Sequence, residues 1–176
     1  MLRRAVLPCL LACSALTFSF ARAQAPMAAP AKSKLQRATE PAIANYLSSR
    51  INGKRLPYGD RATDDHGVQY RIEFDEMILS IRAKHEFRAS LRYRQTLAAK
   101  GEMVGRDPLQ KMTVYGTWTA VGNAIRFVPD PKRGGDGLRI LNGTFNGGTI
   151  EVPFDYRNGS VSRRANVVVI RNDNII

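Results

Sequence analysis

Cysteine is nearly missing from this chain. Its only two, Cys9 and Cys13, lie close to the start. Beyond them no disulfide, thiol nucleophile or cysteine metal site can form. Histidine is almost as scarce, at two residues. His66 follows Asp64 and Asp65, and His85 precedes Glu86, with no His-x-His or Glu-x-x-His pattern. A zinc or redox-metal site needs three or four ligands converging at fixed spacing. The sequence therefore predicts two surface histidines, no metal and no cofactor. Nucleophilic chemistry has no local signature either. Ser160 lies in NGSVSRR after a turn, not in Gly-x-Ser-x-Gly. Glu73 and Asp75 share the wet side of one alternating run. No apolar pocket around them is suggested that would raise a catalytic acid's pKa. These absences predict a protein that is not an enzyme.

Long apolar runs are missing too, except at the N-terminus. Arg3 and Arg4 precede a mostly apolar stretch from Ala5 to Phe20, and Ala21-Arg22-Ala23 forms a small-x-small site. That pattern predicts a secretory signal peptide over residues 1–23 and an exported chain, periplasmic or extracellular. Pro8 and Ser14 interrupt the run, which argues against a membrane span. Leu10-Leu11-Ala12-Cys13 also spells a lipidation box. The length and order of the apolar segment favour the simple leader. Residues 24–40 (QAPMAAPAKSKLQRATE) are rich in Ala, Pro and Lys and predict a flexible tether. Residues 41–176 are then left for one domain, long enough to bury a core without staples.

Acidic residues are few beside basic ones. There are 27 Lys and Arg against 15 Asp and Glu, a formal net charge of +12. Such a surface attracts anions, and an anionic envelope surface is one expected partner. Net charge alone is also the ordinary consequence of a soluble basic surface.

Helical periodicity fades after Pro41, and alternation takes over. Tyr70, Ile72 and Phe74 alternate with Arg71, Glu73 and Asp75. Met77, Leu79, Ile81 and Ala83 alternate with Ile78, Ser80, Arg82 and Lys84. Phe87, Ala89, Leu91 and Tyr93 alternate with Arg88, Ser90, Arg92 and Arg94, and Ile150 to Tyr156 repeats the pattern. Strand side chains point to opposite faces in turn, so each run predicts one buried and one wet face. Asn-Gly at 52–53, 142–143, 146–147 and 158–159 predicts tight hairpin turns. Gly122-Asn123 predicts another, and DPKRGGDG (130–137) a longer, mobile loop. GTWTAVGNAIRFV (116–128) and GTFNGGTIEVP (143–153) share one plan: Gly-Thr-aromatic, a glycine turn, then Ile. The apolar run Ala165 to Arg171 predicts a last strand that closes against the first, around Tyr46 to Ile51. Closure removes exposed sheet edges. The fold class expected is all-β, an antiparallel up-and-down meander closed into a barrel.

Ala44 to Pro57 (ANYLSSRINGKRLP), Gly116-Thr117-Trp118 and Gly122 to Phe127 resemble lipocalin-like domains of small secreted bacterial proteins. The resemblance spans most of residues 44–171, and its motifs are turn and strand motifs. It implies a lipocalin-like up-and-down barrel that either holds an apolar ligand or is filled by its own side chains. Two departures stand out. True lipocalins carry Gly-x-Trp at the first strand, where this chain has Ala44-Asn45-Tyr46. They are also often stapled by cysteines that are missing here.

Two functional readings follow. In the first, the barrel binds a small apolar or amphipathic molecule without catalysis. Trp118, Tyr93, Phe127 and Phe154 then line the interior. The plain alternative is that Trp118 only packs a core, as interior aromatics mostly do. In the second, the barrel is filled and the outer face does the work, as an envelope or protein-interaction module. Arg82, Lys84, Arg88, Arg92 and Arg94 would form a cationic patch on two neighbouring strands. Nucleic acid is not an expected partner. Alternation in FRASLRYR (87–94) puts its aromatics on one face and its arginines on the other, whereas single-strand binders expose both in one groove. Arg133 to Gly137 is glycine-rich, but no helix follows to complete a phosphate cradle.

Overall fold

The structure is a computed structural model that describes residues 40–99, 102–105, 107–133, 135 and 137–174. The expected leader and all of the expected tether but Glu40 lie outside the described residues. Strands β1 (Ala44–Ile51), β2 (Lys54–Arg55), β3 (Tyr58–Thr63) and β4 (Gln69–Ile81) come first. A 3-10 turn (Ala83–His85) leads to β5 (Glu86–Ala99), β6 (Glu102–Met103), β7 (Gln110–Val121) and β8 (Ala124–Pro129). The chain continues through β9 (Leu138–Ile140), β10 (Gly143–Asn146), β11 (Thr149–Asn158) and β12 (Val161–Asn172). All twelve strands join one antiparallel sheet. Eight of them close a ring of hydrogen-bonded neighbours, in the order β1, β12, β11, β10, β8, β7, β5, β4 and back to β1.

The closing contacts join the beginning and end of the described chain. Tyr46 pairs with Arg171 and Ile51 with Val167, as the apolar run 165–171 predicts. On its other side β1 pairs with β4, from Ala44 opposite Ile81 to Leu47 opposite Ile78. One rim of the ring, where β1 enters and β12 leaves, holds the β4–β5, β7–β8 and β10–β11 turns. The far rim holds the β1–β2, β3–β4 and β11–β12 turns.

The interior is built from the alternating positions. Ile72, Phe74, Met77, Leu79 and Ile81 of β4 are buried, as are Phe87, Ala89, Leu91 and Tyr93 of β5. Each fully buried aliphatic or phenyl side chain contributes roughly 1.5–3 kcal/mol. The phase of burial flips between Phe74 and Met77, and the β4–β5 register slips between Phe74 and Glu76. A second slip lies between Ser48 and Arg50 of β1, with Tyr46 and Ile51 buried on either side of it. Each bulge spends one extra residue, bends the strand and returns the next apolar residue to the inside. The Met77 backbone N–H donates to Ser48 Oγ (2.7 Å) between the two bulges. Beyond this point β1 leaves β4, and β3 pairs with β4 instead. The Arg163 guanidinium donates to the Asp60 carboxylate and ties β12 to β3.

Several turns differ from the sequence reading. Asn52 and Gly53 form a two-residue turn with positive φ at both positions, as Asn-Gly predicts. At 146–147 and 158–159 the pairs Asn146–Thr149 and Asn158–Val161 move each turn one residue on, to Gly147-Gly148 and Gly159-Ser160. There, as at Gly122-Asn123, only the first turn residue has positive φ. Asn142-Gly143 is not a turn. Gly143 lies buried in β10 because a Cβ there would stand 2.5 Å from the Glu151 carbonyl oxygen. The long loop is also anchored. Asp130 N–H donates to Tyr115 O (2.8 Å) and Gly135 N–H to Thr113 O (3.1 Å).

Candidate functional site: packed aromatics and outward arginines

Trp118 of β7 stands opposite Phe127 of β8, and both face inward. Tyr93 and Phe154 are buried on the same inner side. All four aromatics expected inside are therefore inside. Each also packs against a further ring. Phe127 meets Phe87 edge-on at 5.0 Å between centroids, and Phe154 meets Phe74 at 5.7 Å. Tyr93 meets Tyr156 at 4.8 Å, and Tyr156 meets Phe74 at 5.8 Å. These T-shaped contacts are the geometry in which aromatic rings pack favourably. Phe74, Phe87 and Tyr156 were legible as inward positions, but nothing local shows that they stack on the expected four.

Trp118 sits near the entry rim, where the His85 ring lies 5.1 Å from its own. Its indole Nε1 is buried and has no hydrogen-bond partner among the described residues. The other half of the interior is polar at one point. Tyr156 O–H donates to Gln95 Oε1 (2.6 Å), which also accepts from Asn158 Nδ2 (3.2 Å). Tyr93 O–H donates to Gln110 Oε1 (2.7 Å). Burial pushes the Tyr156 phenol far above the ordinary tyrosine range and also raises that of Tyr93. Both stay neutral donors, so this cluster locks strands together and supplies no base.

The expected cationic patch divides in two. Arg88, Arg92 and Arg94 alternate with buried residues along β5 and point outward, with Arg92 the most exposed of the three. Arg92 pairs with Glu76 (3.3 Å) and Asp75 (3.8 Å). Arg94 stands opposite Glu73. The Arg88 guanidinium lies 6.0 Å from the Tyr115 ring centre, and that of Arg133 4.7 Å from it. Arg82 and Lys84 do not continue the strand row. β4 ends at Ile81, and Lys84 lies in the 3-10 turn with φ 58°. Ala83, expected inward, is exposed there for the same reason: the chain has already left the pleat. Arg82 borders an open cleft of about 330 Å³ with Tyr115, Thr117, Asp130 and Arg133.

His66 is exposed in the β3–β4 turn, and His85 packs on Trp118. Among the described residues no three His, Cys, Asp or Glu side chains gather where a metal could sit. Ser160 O–H donates to Asp64 (3.2 Å), whose other oxygen accepts the His66 and Val68 N–H groups. Ser160 therefore ties two turns together. No helix among the described residues is long and apolar enough to cross a membrane. No family model, curated protein or solved structure matches the chain.

Proposed function

We propose that the protein is an exported, lipocalin-like β-barrel, filled by its own side chains, that works through its outer face on an anionic envelope surface. The observation that carries this reading is the mutual packing of the interior rings. Trp118, Tyr93, Phe127 and Phe154, which a ligand would otherwise meet, each have another ring against them. The closed order of strands and the apolar interior support the barrel. The outward row of Arg88, Arg92 and Arg94 and the net charge of the exported chain, +12 less the three leader arginines or +9, support an anionic partner.

Two measurements test it. Native mass spectrometry of protein purified gently from an envelope fraction should give the bare polypeptide mass. A reproducible extra mass, lost on denaturation, would overturn the filled barrel. Phosphatidylglycerol vesicles should sediment with the protein at low salt. Changing Arg88, Arg92 and Arg94 together to Gln should weaken that binding at least threefold with little change in melting. Unchanged binding would remove this face from the function.

A further inference from the structure

The bulge in β1 decides what its outer face carries. Tyr46 and Ile51 are both buried, so Leu47 and Arg50 beside them both point outward. In an unbroken strand, residues three apart would lie on opposite faces. Leu47 stands directly between Ile78 of β4 and Ile170 of β12. These two also point outward: Met77 and Leu79 are buried on either side of Ile78, and Val169 is buried beside Ile170. The three aliphatics form one apolar row across three strands, with Ile170 46% exposed. Val168, the next outward residue of β12, stands opposite Arg50 and widens the row. On β5 the row ends at Ser90, which faces Ile78 and shares a hydrogen bond with Thr113 (3.1 Å).

Cations border the row. At its β5 end Arg88 and Arg92 flank Ser90. Along β1 the border is Arg50, which stands directly opposite Arg55 of β2. Both are exposed, as is Lys54 beside them. The described chain runs unbroken through β1, β2, β4, β5 and β12. Among the described residues no carboxylate lies within ion-pair distance of Arg50, Lys54 or Arg55. Lys54 has its ammonium 5.7 Å from the Tyr58 ring centre instead. Like charges directly opposite one another destabilise a strand pair, and an anion between them relieves it. Arg92, by contrast, already has Glu76 and Asp75.

We infer that this outer face of β12, β1 and β4 seats on an anionic lipid bilayer, with Leu47, Ile78 and Ile170 entering its interface and Arg50 and Arg55 meeting headgroup phosphates. The inference rests on the outer-face reading above and names phospholipid as the partner. An exposed apolar patch rimmed by polar groups marks a contact with a protein or a membrane. The row is small for a protein. Each side of a stable protein complex buries about 800 Å², and Leu47, Ile78 and Val168 are already half-buried. An acidic polysaccharide would match the arginines and leave the aliphatics in water. A bilayer answers to both. Its anionic lipids draw basic residues to the surface, and the aliphatic groups leave water as they enter.

The test is co-sedimentation of the purified protein with mixed phosphatidylglycerol and phosphatidylethanolamine vesicles. It is run at low salt and at about 1 M salt, where charges are screened beyond about 3 Å. Binding should weaken with salt and persist at the higher value, because burial of the aliphatics is not screened. Changing Leu47 and Ile170 together to Thr keeps strand-forming side chains. It should weaken the salt-resistant binding at least fivefold. Changing the exposed Val121 and Val128 of the β7–β8 hairpin to Thr should cost less than twofold. Changing Arg50 and Arg55 together to Gln should weaken low-salt binding at least threefold, and no loss would overturn the headgroup contact. Equal losses from the two Thr pairs, or full release of the unaltered protein at high salt, would overturn the apolar seat and leave the outer-face reading standing. If the unaltered protein bound anionic vesicles at neither salt, both readings would fall. A dimer in solution that the Leu47 and Ile170 changes break would make this face a contact between copies and overturn the bilayer. Ile170→Thr alone serves if the double variant does not fold. It should weaken high-salt binding at least twofold, and no change would overturn the proposal.

Discussion

The β7–β8 and β10–β11 hairpins carry nearly the same motif and do different amounts of work with it. In both, Gly-Thr-aromatic precedes a glycine turn, and the aromatic and the later Ile face inward. In both, the leading glycine lies where a neighbouring strand comes too close for a side chain. At Gly116 a Cβ would stand 2.6 Å from the Phe87 ring and 2.8 Å from Pro129 Cα, besides striking Val128 O. At Gly143 it would meet Glu151 O at 2.5 Å and Val152 Cγ2 at 3.0 Å. The first hairpin zips over six residue pairs, and β10 over only three with β11. Trp118 therefore stands deep in a long hairpin, 4% exposed, and Phe145 near the end of a short one, 8% exposed. The recurrence teaches that Gly-Thr-aromatic is a device for curving the sheet over a large inward ring. It marks the fold twice and need not mark a ligand site at all.

The largest expected effect comes from removing the rings. Trp118→Ala should lower the unfolding free energy by about 3–5 kcal/mol, and Phe145→Ala by about 3 kcal/mol or less. Urea titration of both variants decides the comparison. A loss under about 1.5 kcal/mol at Trp118 would mean that its ring lines space instead of filling it. The glycines come next. Gly116→Ala should cost about 2–3 kcal/mol and Gly143→Ala about 1–2 kcal/mol, because the first meets a buried ring as well as the β8 backbone. Equal costs would show that the Phe87 ring moves aside freely.

The smallest effect is electrostatic and touches only the second hairpin. Its long strand β11 carries Asp155, whose carboxyl the Arg164 hydrogen bonds hold below the usual carboxylate range. A depressed folded pKa adds stability above the unfolded value, and that gain is lost as pH falls through the folded value. Asp155→Asn should thus lower the melting temperature by no more than about 2 °C at pH 7, since the pair is largely exposed. The two proteins should converge on acidification below the folded pKa. A gap that persists in acid would assign the loss to packing.

Much of the ring was legible because burial follows alternation. The inward rows of β4, β5 and β11 can be read directly, and so can the pairing of 165–171 with 46–51. The turns were legible only to within one residue. Asn-Gly fixes where a chain reverses, but strand register decides which pair sits at the apex. At Asn142-Gly143 the glycine answers to a neighbouring strand that no local pattern reveals. Lys84 was misplaced because nothing in AKHE announces that the strand ends at Ile81. For the site, Trp118, Tyr93, Phe127 and Phe154 could be placed inside. The rings that pack against them, the Gln95 and Gln110 acceptors, and the outer apolar row shared by β4, β1 and β12 are long-range juxtapositions. Spacing along one strand carries no trace of them.

Closure of the ring by β1 and β12 has a kinetic consequence. The contacts that complete the sheet join Asn45 to Asn172 and Ile51 to Val167, separations that span nearly the whole domain. Loop-closure entropy is spent before such pairs return anything, so folding should be slow for the chain's size. A nascent chain cannot seal the ring until residues 161–172 have been made. Until then β1 keeps one edge without its β12 partner, and the chain stays unfinished.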